Sequence, residues 1–471
     1  MAEIDPTSPL YPPTVRPSKG VLPLPFFLAR FIRNPLRSLP RAVYHEPIVV
    51  HGRDRPLVAW VTAPDLIETI LLRDAATFAK TRLDKRVLKP VLGNGLLTSD
   101  GASWRWQRKL ASPLFRHGEI LSYVPAMVSA AAEQVERWRQ RGPGFTALVD
   151  EDMTETTFKV ITRTILAGTV EADSDIILRA GRGYLDHITW EIAAAMLLLP
   201  EGIWHPFRSR MRAAARDERD AVGRLLTSRR NDTEGKDDLL ARMIDARHPD
   251  TGEPMPDDLL IDNLATFLLA GHETTAKALT WTLYLMARSP DWQARARREI
   301  EAVTGCGPAQ PEHISRLEIT TRILKEAMRL YPPAPVLTRV TMKPVTLGGR
   351  DLPERTLIVI PIYAVHRHHA LWTDPDRFDP DRFLPEHETQ HQRTQFMPFG
   401  FGGRVCIGQA FAMIEAIAIL ATLLQGATFQ WDGKHLPEPV SRVTLRPRGR
   451  MPLIVSPIQS GRAASVSNRL K

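Results

Sequence analysis

A single long apolar segment between two prolines constrains the fold more than any other feature of this sequence. It reads PDDLLIDNLATFLLAGHETTAKALTWTLYLMARS, begins at Pro256 with two aspartates behind it, and ends before Pro290. A proline followed by acidic residues favours a helix start, and a second proline ends the helix. At 1.5 Å per residue such a helix is roughly 48 Å long. We therefore predict a helix that crosses a whole domain and forms the floor of a central cavity.

The rest of the chain has mostly helical periodicity and few strands. The segment PIVVHGRDRPLVAWV predicts a hairpin around residues 52–54, and TLIVIPIY predicts another short strand. Apolar residues recur with helical spacing in APDLIETILL, YVPAMVSAAAEQVERWRQ, TETTFKVITRTIL, DLLARMIDA and AFAMIEAIAILATLLQG. No internal repeat and no Gly/Ser linker divides the chain. The pattern indicates a mainly α fold with a small β region in one domain.

The two ends of the chain differ in composition from the body. Residues 1–40 contain nine prolines, and their apolar run GVLPLPFFLA is too short to span a bilayer and is broken by Pro23 and Pro25. We predict that this segment is no transmembrane anchor and packs onto the body; contact with a lipid surface is the alternative. Residues 41–457 are predicted to form the functional domain, and the small polar tail 458–471 is expected to be disordered.

Charge and cysteine content exclude several classes of protein. The net charge is +9, but the basic residues are spread along the chain without a nucleic-acid motif, so no nucleic-acid partner is expected. A solvated surface and a basic docking patch for an acidic partner both remain open. The only two cysteines, Cys306 and Cys406, exclude a disulfide framework and leave a single bridge as an alternative. Their scarcity fits a reducing compartment such as the cytoplasm.

The stretch FGFGGRVCIG, residues 399–408, places Cys406 in a glycine-rich loop directly before the apolar helix IGQAFAMIEAIAILATLL. Unpaired N–H groups and the positive end of the helix dipole favour a thiolate, so we expect a lowered pKa for Cys406. The glycines allow the backbone to approach a flat ligand, Gly408 leaves room beside the helix, and Arg404 supplies a cation. This combination suits a metal held within a planar, anionic macrocycle.

Two other interpretations start from the same loop. In the first, Cys406 is a structural cysteine at a glycine-rich helix start, and cysteine and glycine alone do not distinguish this from a ligand site. The second is a dinucleotide-binding loop. The preceding TQFMPFG is a poor buried strand and no βαβ unit follows, which disfavours a dinucleotide site.

Position by position, Phe399, Gly402, Arg404, Cys406 and Gly408 resemble the F-x-x-G-x-R-x-C-x-G haem-ligand signature of the cytochrome P-450 family, the haem-thiolate monooxygenases. The resemblance implies a cytochrome P-450-like single haem domain with a long central helix and a Cys-ligand loop. It also implies haem b (iron protoporphyrin IX) as the cofactor, with Cys406 as the axial ligand of the iron. Phe399 and Gly408 are expected to contact this cofactor.

The sequence AGHETT gives the long helix a distinct face. Ala270 and Thr274 are four residues apart and share that face, which Thr266 extends by one turn. Gly271 weakens the helix and, with hydroxyl groups that bond backwards to carbonyls, favours a local opening. A zinc-protease H-E-x-x-H motif is excluded because position 276 is alanine.

A carboxylate in the middle of this apolar helix is costly without a partner, which makes Glu273 a functional candidate. A tolerated polar kink is the structural alternative. The resemblance implies that Thr274 hydrogen-bonds the dioxygen being activated and that Glu273 feeds a water-mediated proton relay. Cleavage of the O–O bond needs two protons, and a hydroxyl and a carboxylate are suitable groups to deliver them.

In KEAMRLYPPAP, Glu326 and Arg329 are three residues apart on one helix face, a spacing that by itself usually gives a surface salt bridge. The segment FDPDRF supplies Arg382. The resemblance to the family's E-x-x-R and P-E-R-F motifs implies that these three residues form a buried triad behind the thiolate loop, with a role in folding and haem retention. Asp381 stands where that motif commonly has Glu, a change that leaves Arg382 in place.

SWRWQRKL places Trp104 and Arg108 four residues apart, as in the family's W-x-x-x-R motif. The resemblance implies that both residues, with Arg404 and Arg339, contact the two haem propionates, because guanidinium groups match carboxylates. Core packing is the alternative for Trp104. The tract HRHHALWTDP has the composition of a metal site, but it resembles the segment that precedes the thiolate loop in this family.

The resemblance therefore implies a monooxygenase that inserts one oxygen atom of O2 into a hydrophobic organic substrate. No flavin or iron–sulfur module is evident, so electrons are expected from a separate ferredoxin or flavodoxin and its NAD(P)H reductase, and the chain is expected to be a monomer. Candidate pocket residues lie in 76–100, in 188–204 and at Thr266, Phe267, Ala270 and Val336. A peroxide-dependent or isomerising haem-thiolate enzyme and a non-catalytic haem sensor are the alternatives.

Overall fold

The computed structural model describes residues 9–52, 57–165, 173–197, 199–200, 204–231, 238–248, 250–305 and 307–458. Cys306, the predicted turn beyond residue 52 and the tail beyond residue 458 lie outside the described residues. The α-helices of the described chain are α1 (Leu24–Arg33), α2 (Pro64–Glu68), α3 (Arg82–Leu92), α4 (Gly101–Ala111), α5 (His117–Ser122), α6 (Val124–Gln140), α7 (Val149–Ile165), α8 (Ser174–Leu185), α9 (Ile188–Met196), α10 (Arg208–Asn231), α11 (Leu239–Asp245), α12 (Asp257–Arg288), α13 (Pro290–Thr304), α14 (Pro311–Ile314), α15 (Glu318–Leu330), α16 (Ile362–Val365), α17 (Pro385–Glu388) and α18 (Gln409–Gly426).

The strands are β1 (Ile48–His51), β2 (Val58–Val61), β3 (Phe78–Ala79), β4 (Phe145–Leu148), β5 (Leu337–Thr341), β6 (Val345–Leu347), β7 (Arg350–Leu352), β8 (Leu357–Ile360), β9 (Ala427–Gln430), β10 (Pro439–Ser441), β11 (Leu445–Pro447) and β12 (Pro452–Pro457). They form a five-stranded sheet in the order β1-β2-β8-β5-β3, a three-stranded sheet β4-β12-β9 and two hairpins, β6-β7 and β10-β11. The predicted hairpin β1-β2 and the predicted strand β8 are both present. The fold is mainly α with small β regions, as predicted.

The central helix α12 contains 32 residues, so the predicted helix between Pro256 and Pro290 is confirmed. Most side chains from Leu260 to Ala287 are buried against α7, α10, α15 and α18. The few that are not fully buried include Ala270 and Thr274, the residues expected to share one face. An apolar helix surrounded on all sides by protein has this composition because every face is covered.

The local opening predicted at Gly271 is not formed, because α12 continues through this residue without a break. The threonine hydroxyls do bond backwards, since Thr274 Oγ1 donates to the Ala270 carbonyl at 2.8 Å. Packing explains the glycine: a Cβ atom at Gly271 would lie 2.6 Å from Cδ1 of Ile161 on α7. The close approach of α7 therefore offsets the lower helix propensity of glycine.

Helix α18 follows the cysteine loop and is buried along most of its length. It begins at Gln409, three residues after Cys406, rather than directly after the cysteine. Within the described ranges it is the one helix with the length and hydropathy of a membrane span, and most of its residues lie inside the protein.

The N-terminal segment packs onto the body of the chain. Val15, Leu36 and Leu39 are buried in the main hydrophobic core, and the Tyr331 hydroxyl donates to the Pro13 carbonyl at 2.8 Å. Helix α1 is different, because none of its residues is buried. It lies on the surface of the body against α9, and the Thr189 hydroxyl donates to its Ile32 carbonyl at 3.2 Å.

Candidate functional site

A cavity of about 970 Å³ lies between α12, the cysteine loop and the five-stranded sheet. The structure brings most of the predicted site residues to its wall: Trp104, Arg108, Thr266, Phe267, Ala270, Glu273, Thr274, Val336, Arg339, Phe399, Arg404, Cys406 and Gly408. Ligand cavities of this size enclose small organic molecules when apolar walls carry a few polar groups.

The cysteine loop is shaped by glycines and by one backbone hydrogen bond. The Cys406 amide donates to the Phe399 carbonyl at 3.0 Å, which closes the loop. Gly402 has a φ of 75°, and a Cβ atom there would lie 2.0 Å from the Leu71 carbonyl oxygen. A Cβ atom at Gly408 would lie 3.9 Å from Cys406 Sγ. The loop therefore presents the thiol to the cavity beside a surface without side chains.

The expected lowering of the Cys406 pKa is wrong for the thiol in this protein environment. Its side chain is accessible from the cavity, yet the surrounding protein removes it from bulk water, and this burial raises the pKa. A hydrogen bond from the Gly408 backbone and the charge of Arg108 act in the opposite direction without outweighing it. The helix start is three residues away, so its dipole acts on the sulfur more weakly than predicted.

Three arginines converge on one part of the cavity wall. The guanidinium of Arg404 lies 4.0 Å from the centre of the Trp104 ring and donates to the Ser99 carbonyl at 2.8 Å and to Asp100 at 2.6 Å. Arg108 lies 5.6 Å from the same ring. Burial lowers the pKa of Arg404 and the charges of Arg339 and Arg108 lower it further, although the paired Asp100 acts in the opposite direction. This excess of positive charge fits anionic groups of a ligand.

Glu273 lines the cavity, but its carboxylate is fixed by a buried network of charged and polar side chains. Its Oε1 atom lies 2.8 Å from Arg446 Nε and 3.8 Å from Lys277 Nζ, and the Thr444 hydroxyl donates to it at 3.0 Å. Burial opposes ionisation of Glu273, but the charges of Arg446 and Lys277 outweigh it and lower the pKa to about 2. Arg446 also contacts Asp186, which is half exposed, at 2.8 Å. A chain of charged groups thus joins Glu273 to the surface.

The predicted triad assembles away from the cavity. Arg329 donates to Glu326 at 2.6 and 2.8 Å, and both residues are completely buried. Arg382 Nε lies 3.5 Å from Glu326 Oε1, and its remaining nitrogens donate to the carbonyls of Thr373 and Asp374. Asp381 pairs instead with Arg322 on the neighbouring helix α15.

The histidine tract joins the triad to the cysteine loop. His366 Nδ1 lies 3.2 Å from the Arg329 carbonyl, and His366 Nε2 accepts from the Met397 amide at 2.9 Å, two residues before Phe399. Burial and the charge of Arg329 lower the pKa of His366 to about 3, so it is neutral. His369 stacks on His45 with ring centres 4.3 Å apart. These contacts give the tract a structural role.

Two lining segments were missed by the sequence reasoning. Phe27 and Phe31 of α1 line the cavity, as does the turn Arg442–Thr444 between β10 and β11. The apolar run that contains α1 is visible in the sequence, but nothing in it indicates a cavity wall. In the predicted region 188–204, the residues that line the cavity within the described chain are Ile192 and Met196.

The thiol, the arginine group and the glycine surface together fit haem b. Cys406 offers a sulfur ligand at the cavity wall, and the guanidinium groups of Arg108, Arg339 and Arg404 suit the two propionates. Gly408 carries no side chain, so the surface beside the Cys406 sulfur is open to a flat ring. A cysteine thiol and a long helix that line the same cavity are the arrangement of a haem-thiolate protein.

Comparison with known proteins identifies the family. The cytochrome P450 family model matches residues 41–452. Cyclooctatin synthase of Streptomyces melanosporofaciens is 32% identical over 95% of this chain and 94% of its own length. Cytokinin hydroxylase of Arabidopsis thaliana is 31% identical over 88% of this chain and 81% of its own length. The crystal structure of the cytochrome P450DA heme domain superimposes with a TM-score of 0.79 at 27% identity, covering 96% of this chain and 98% of that one.

This chain belongs to the cytochrome P450 family. It is a P450-type monooxygenase, and its cofactor is haem b. The predicted family, fold, enzyme class and cofactor are confirmed.

Proposed function

We propose that this protein inserts one oxygen atom of O2 into a hydrophobic organic molecule, such as a fatty acyl chain, a terpenoid or a steroid-like compound, with electrons from separate redox proteins. The observation that carries this proposal is a single apolar cavity that has Cys406 and Thr274 in its wall. Phe267, Ala270 and Val336 supply apolar surface in the same cavity. Their side chains bind and orient the substrate and exclude water.

The haem, when bound through Cys406, supplies the activation of dioxygen. Thr274 lines the cavity, and we assign it the hydroxyl that donates to the reacting oxygen. Its hydroxyl now donates to the Ala270 carbonyl at 2.8 Å, so it must rotate to act. Glu273 is the ionised carboxylate behind it, and we assign it the inner end of a water-mediated proton path; Arg446, paired with both Glu273 and Asp186, holds this carboxylate in place.

Two variants test these assignments. Thr274→Ala removes the hydroxyl, and we expect NAD(P)H consumption to continue while product yield falls; Thr274→Ser keeps the hydroxyl and should preserve the yield. Glu273→Gln removes proton transfer and should slow product formation by about 10²-fold or more. Equal ratios of product to NAD(P)H in wild type and Thr274→Ala would contradict the role of Thr274.

Electron delivery is proposed to occur from an acidic ferredoxin or flavodoxin at the surface beside Cys406. Phe115 lies within contact distance of Gly408, and its neighbour Arg116 is exposed. Trp104 lies against Arg404 of the cysteine loop, and its neighbour Arg105 is exposed. A positive surface attracts an acidic partner and loses this attraction as salt is added.

The measurement is the rate of electron transfer from a surrogate ferredoxin or flavodoxin system at increasing ionic strength. Arg105→Glu and Arg116→Glu should slow the transfer at low salt, with a smaller effect at high salt. Arg355→Glu serves as the matched control, because Arg355 is exposed on the turn between β7 and β8 and belongs to neither of the two segments proposed to bind the partner. A transfer rate that does not depend on ionic strength would remove the electrostatic part of the proposal.

The reaction class is tested by absorption and turnover. The reduced protein with carbon monoxide should show the absorption of a thiolate-ligated haem. Product formation should require O2, NAD(P)H and the redox proteins. Turnover driven by peroxide alone, at the rate of the complete system, would favour the peroxide-dependent alternative. A ligand library screened for a change of haem spin state would identify the substrate class.

A further inference from the structure

The turn between β10 and β11 carries a cation that the proposed reaction does not use. Arg442, Val443 and Thr444 all line the cavity at this turn. The Arg442 amide donates to the Thr444 carbonyl at 3.0 Å, which makes the turn tight. The Ser441 amide donates to Asn34 Oδ1 at 3.3 Å, and Asn34 is completely buried. These hydrogen bonds therefore fix the backbone that carries Arg442.

Charge pairing distinguishes Arg442 from the other arginines of this hairpin. Arg446 lies 2.8 Å from Glu273, and Arg448 lies 2.8 Å from Glu438. Within the described ranges, Arg442 forms no salt bridge with a carboxylate. Its recorded hydrogen bonds are long, at 3.4 Å, to the carbonyls of Ile32 and Arg33 at the end of α1.

Among the described residues no carboxylate pairs with Arg442, and only the two long bonds to backbone carbonyls hold its guanidinium. Burial lowers the pKa of Arg442, and the nearby charges of Arg448 and Arg446 lower it further. Asp186 acts in the opposite direction, but it is already paired with Arg446 at 2.8 Å. Removing a guanidinium partly from water without a counter-charge is costly, so a site of this kind gains by binding an anion.

Arg442 is also separate from the arginines that fit the haem propionates. The charges that act on Arg404 include those of Arg339 and Arg108, whereas the arginines that act on Arg442 are Arg446 and Arg448. The contacts of Arg442 are instead with the end of α1, which adds Phe27 and Phe31 to the cavity wall. A cation beside apolar side chains matches a ligand with a hydrophobic body and one anionic end.

We propose that Arg442 binds the carboxylate of the substrate, so that this enzyme oxidises hydrophobic carboxylic acids; this inference rests on the proposed function. A carboxylate is planar and accepts two parallel N–H bonds from one guanidinium, and its single charge balances a single arginine. Straight-chain and cyclic acids share this chemistry. The carboxylate is held at the β10–β11 turn while the hydrocarbon body lies along the apolar wall.

The test is calorimetric titration of the holoenzyme with two acids, dodecanoate and abietate, and with the primary alcohols of the same skeletons. We expect at least one acid to bind about 10- to 100-fold more tightly than its alcohol, the range for a charge-assisted hydrogen-bond pair. The acid that shows the preference identifies a straight-chain or a polycyclic substrate. Binding is measured without turnover, so it does not depend on the redox partners.

Variants separate recognition from folding. Arg442→Gln should abolish the preference for acid over alcohol, and Arg442→Lys should keep part of it. Arg448→Gln, which removes a paired arginine of the same hairpin, should leave the preference unchanged. The affinity for the acid is divided by the affinity for the alcohol within each variant, so a general distortion of the cavity does not by itself change the result.

Three results would overturn the inference: equal affinities for acid and alcohol in the wild type, a preference that survives Arg442→Gln, or no binding of either acid. A protein without a thiolate-ligated haem spectrum would instead refute the proposed function. A correct spectrum with no preference for acids refutes the role of Arg442 alone.

Discussion

Replacing Gly402 by alanine is expected to damage the cysteine loop, whereas the same change one residue later is expected to be harmless. Gly402 has a φ of 75°, and an added Cβ atom would lie 2.0 Å from the Leu71 carbonyl oxygen and 2.8 Å from its carbon. Both atoms are backbone, so no side-chain rotation relieves the clash. Gly403 has no heavy atom within 4 Å of such a Cβ atom and no positive φ.

The magnitude follows from two costs. The left-handed conformation costs an alanine about 1–2 kcal/mol, and inserting a group into a packed contact costs about 1–3 kcal/mol. Gly402→Ala should therefore destabilise the protein by about 2–5 kcal/mol. For a chain of 471 residues the entropy of unfolding is roughly 1 kcal/mol/K, so the thermal midpoint should fall by about 2–5 °C. The displaced loop should also retain less thiolate-ligated haem.

The assay compares wild type, Gly402→Ala and Gly403→Ala by thermal unfolding and by the absorption of the reduced carbon monoxide complex. Gly403→Ala should change stability by less than about 0.5 kcal/mol, as expected for an open surface position. An unchanged midpoint together with full thiolate absorption in Gly402→Ala would refute the reasoning. Equal losses in both variants would show that the loop as a whole, rather than the contact with Leu71, determines the effect.

Three further predictions concern buried groups. Glu326→Gln leaves Arg329 as an unpaired buried charge and should cost about 3–5 kcal/mol in urea unfolding, against less than about 1 kcal/mol for the exposed Glu318→Gln; similar losses in both would contradict a buried triad. The folded pKa of Glu273 is about 2 against an ordinary 4.5, so this ionised group adds on the order of 3 kcal/mol above pH 4.5, which is lost as the pH falls through 2. Glu273→Gln should therefore lose less stability than wild type in that acid range, and parallel curves would refute this. Cys406→Ser should abolish thiolate-type absorption while far-ultraviolet circular dichroism stays unchanged, and persistence of that absorption would refute the ligand assignment.

Features that depend on a short spacing could be predicted from the sequence. The bounds of α12 follow from two prolines and a pair of aspartates, and Thr274 shares a face with Ala270 because they are four residues apart. The triad joins two residues of one helix to a third residue that only the family motif identified. Fixed backbone geometry and a specific motif carry this information, and the structure has α12 within these bounds and the three residues of the triad in contact.

Features that depend on the packing of distant segments could not be predicted. Nothing near Glu273 in the sequence indicates Arg446, which is 173 positions away and lowers the pKa of that carboxyl. The Cys406 pKa was predicted from the helix dipole, but burial by the folded chain dominates it. Gly271 was interpreted as a point of opening, although its role is to let Ile161 of α7 approach.

The β10–β11 hairpin shows why charge alone in a sequence does not assign function. Its arginines alternate along the chain, at 442, 446, 448 and 450, and look like an exposed basic stretch. The fold pairs three of them with carboxylates, Arg446 with Glu273, Arg448 with Glu438 and Arg450 with Glu151, and among the described residues leaves Arg442 in the cavity wall without one. Because a partly buried charge is stabilised by a counter-charge, the arginine held only by two long bonds to backbone carbonyls carries the functional information. Long-range packing pairs the neighbouring arginines with carboxylates. Arg442 is therefore the arginine of this stretch that is available to a ligand.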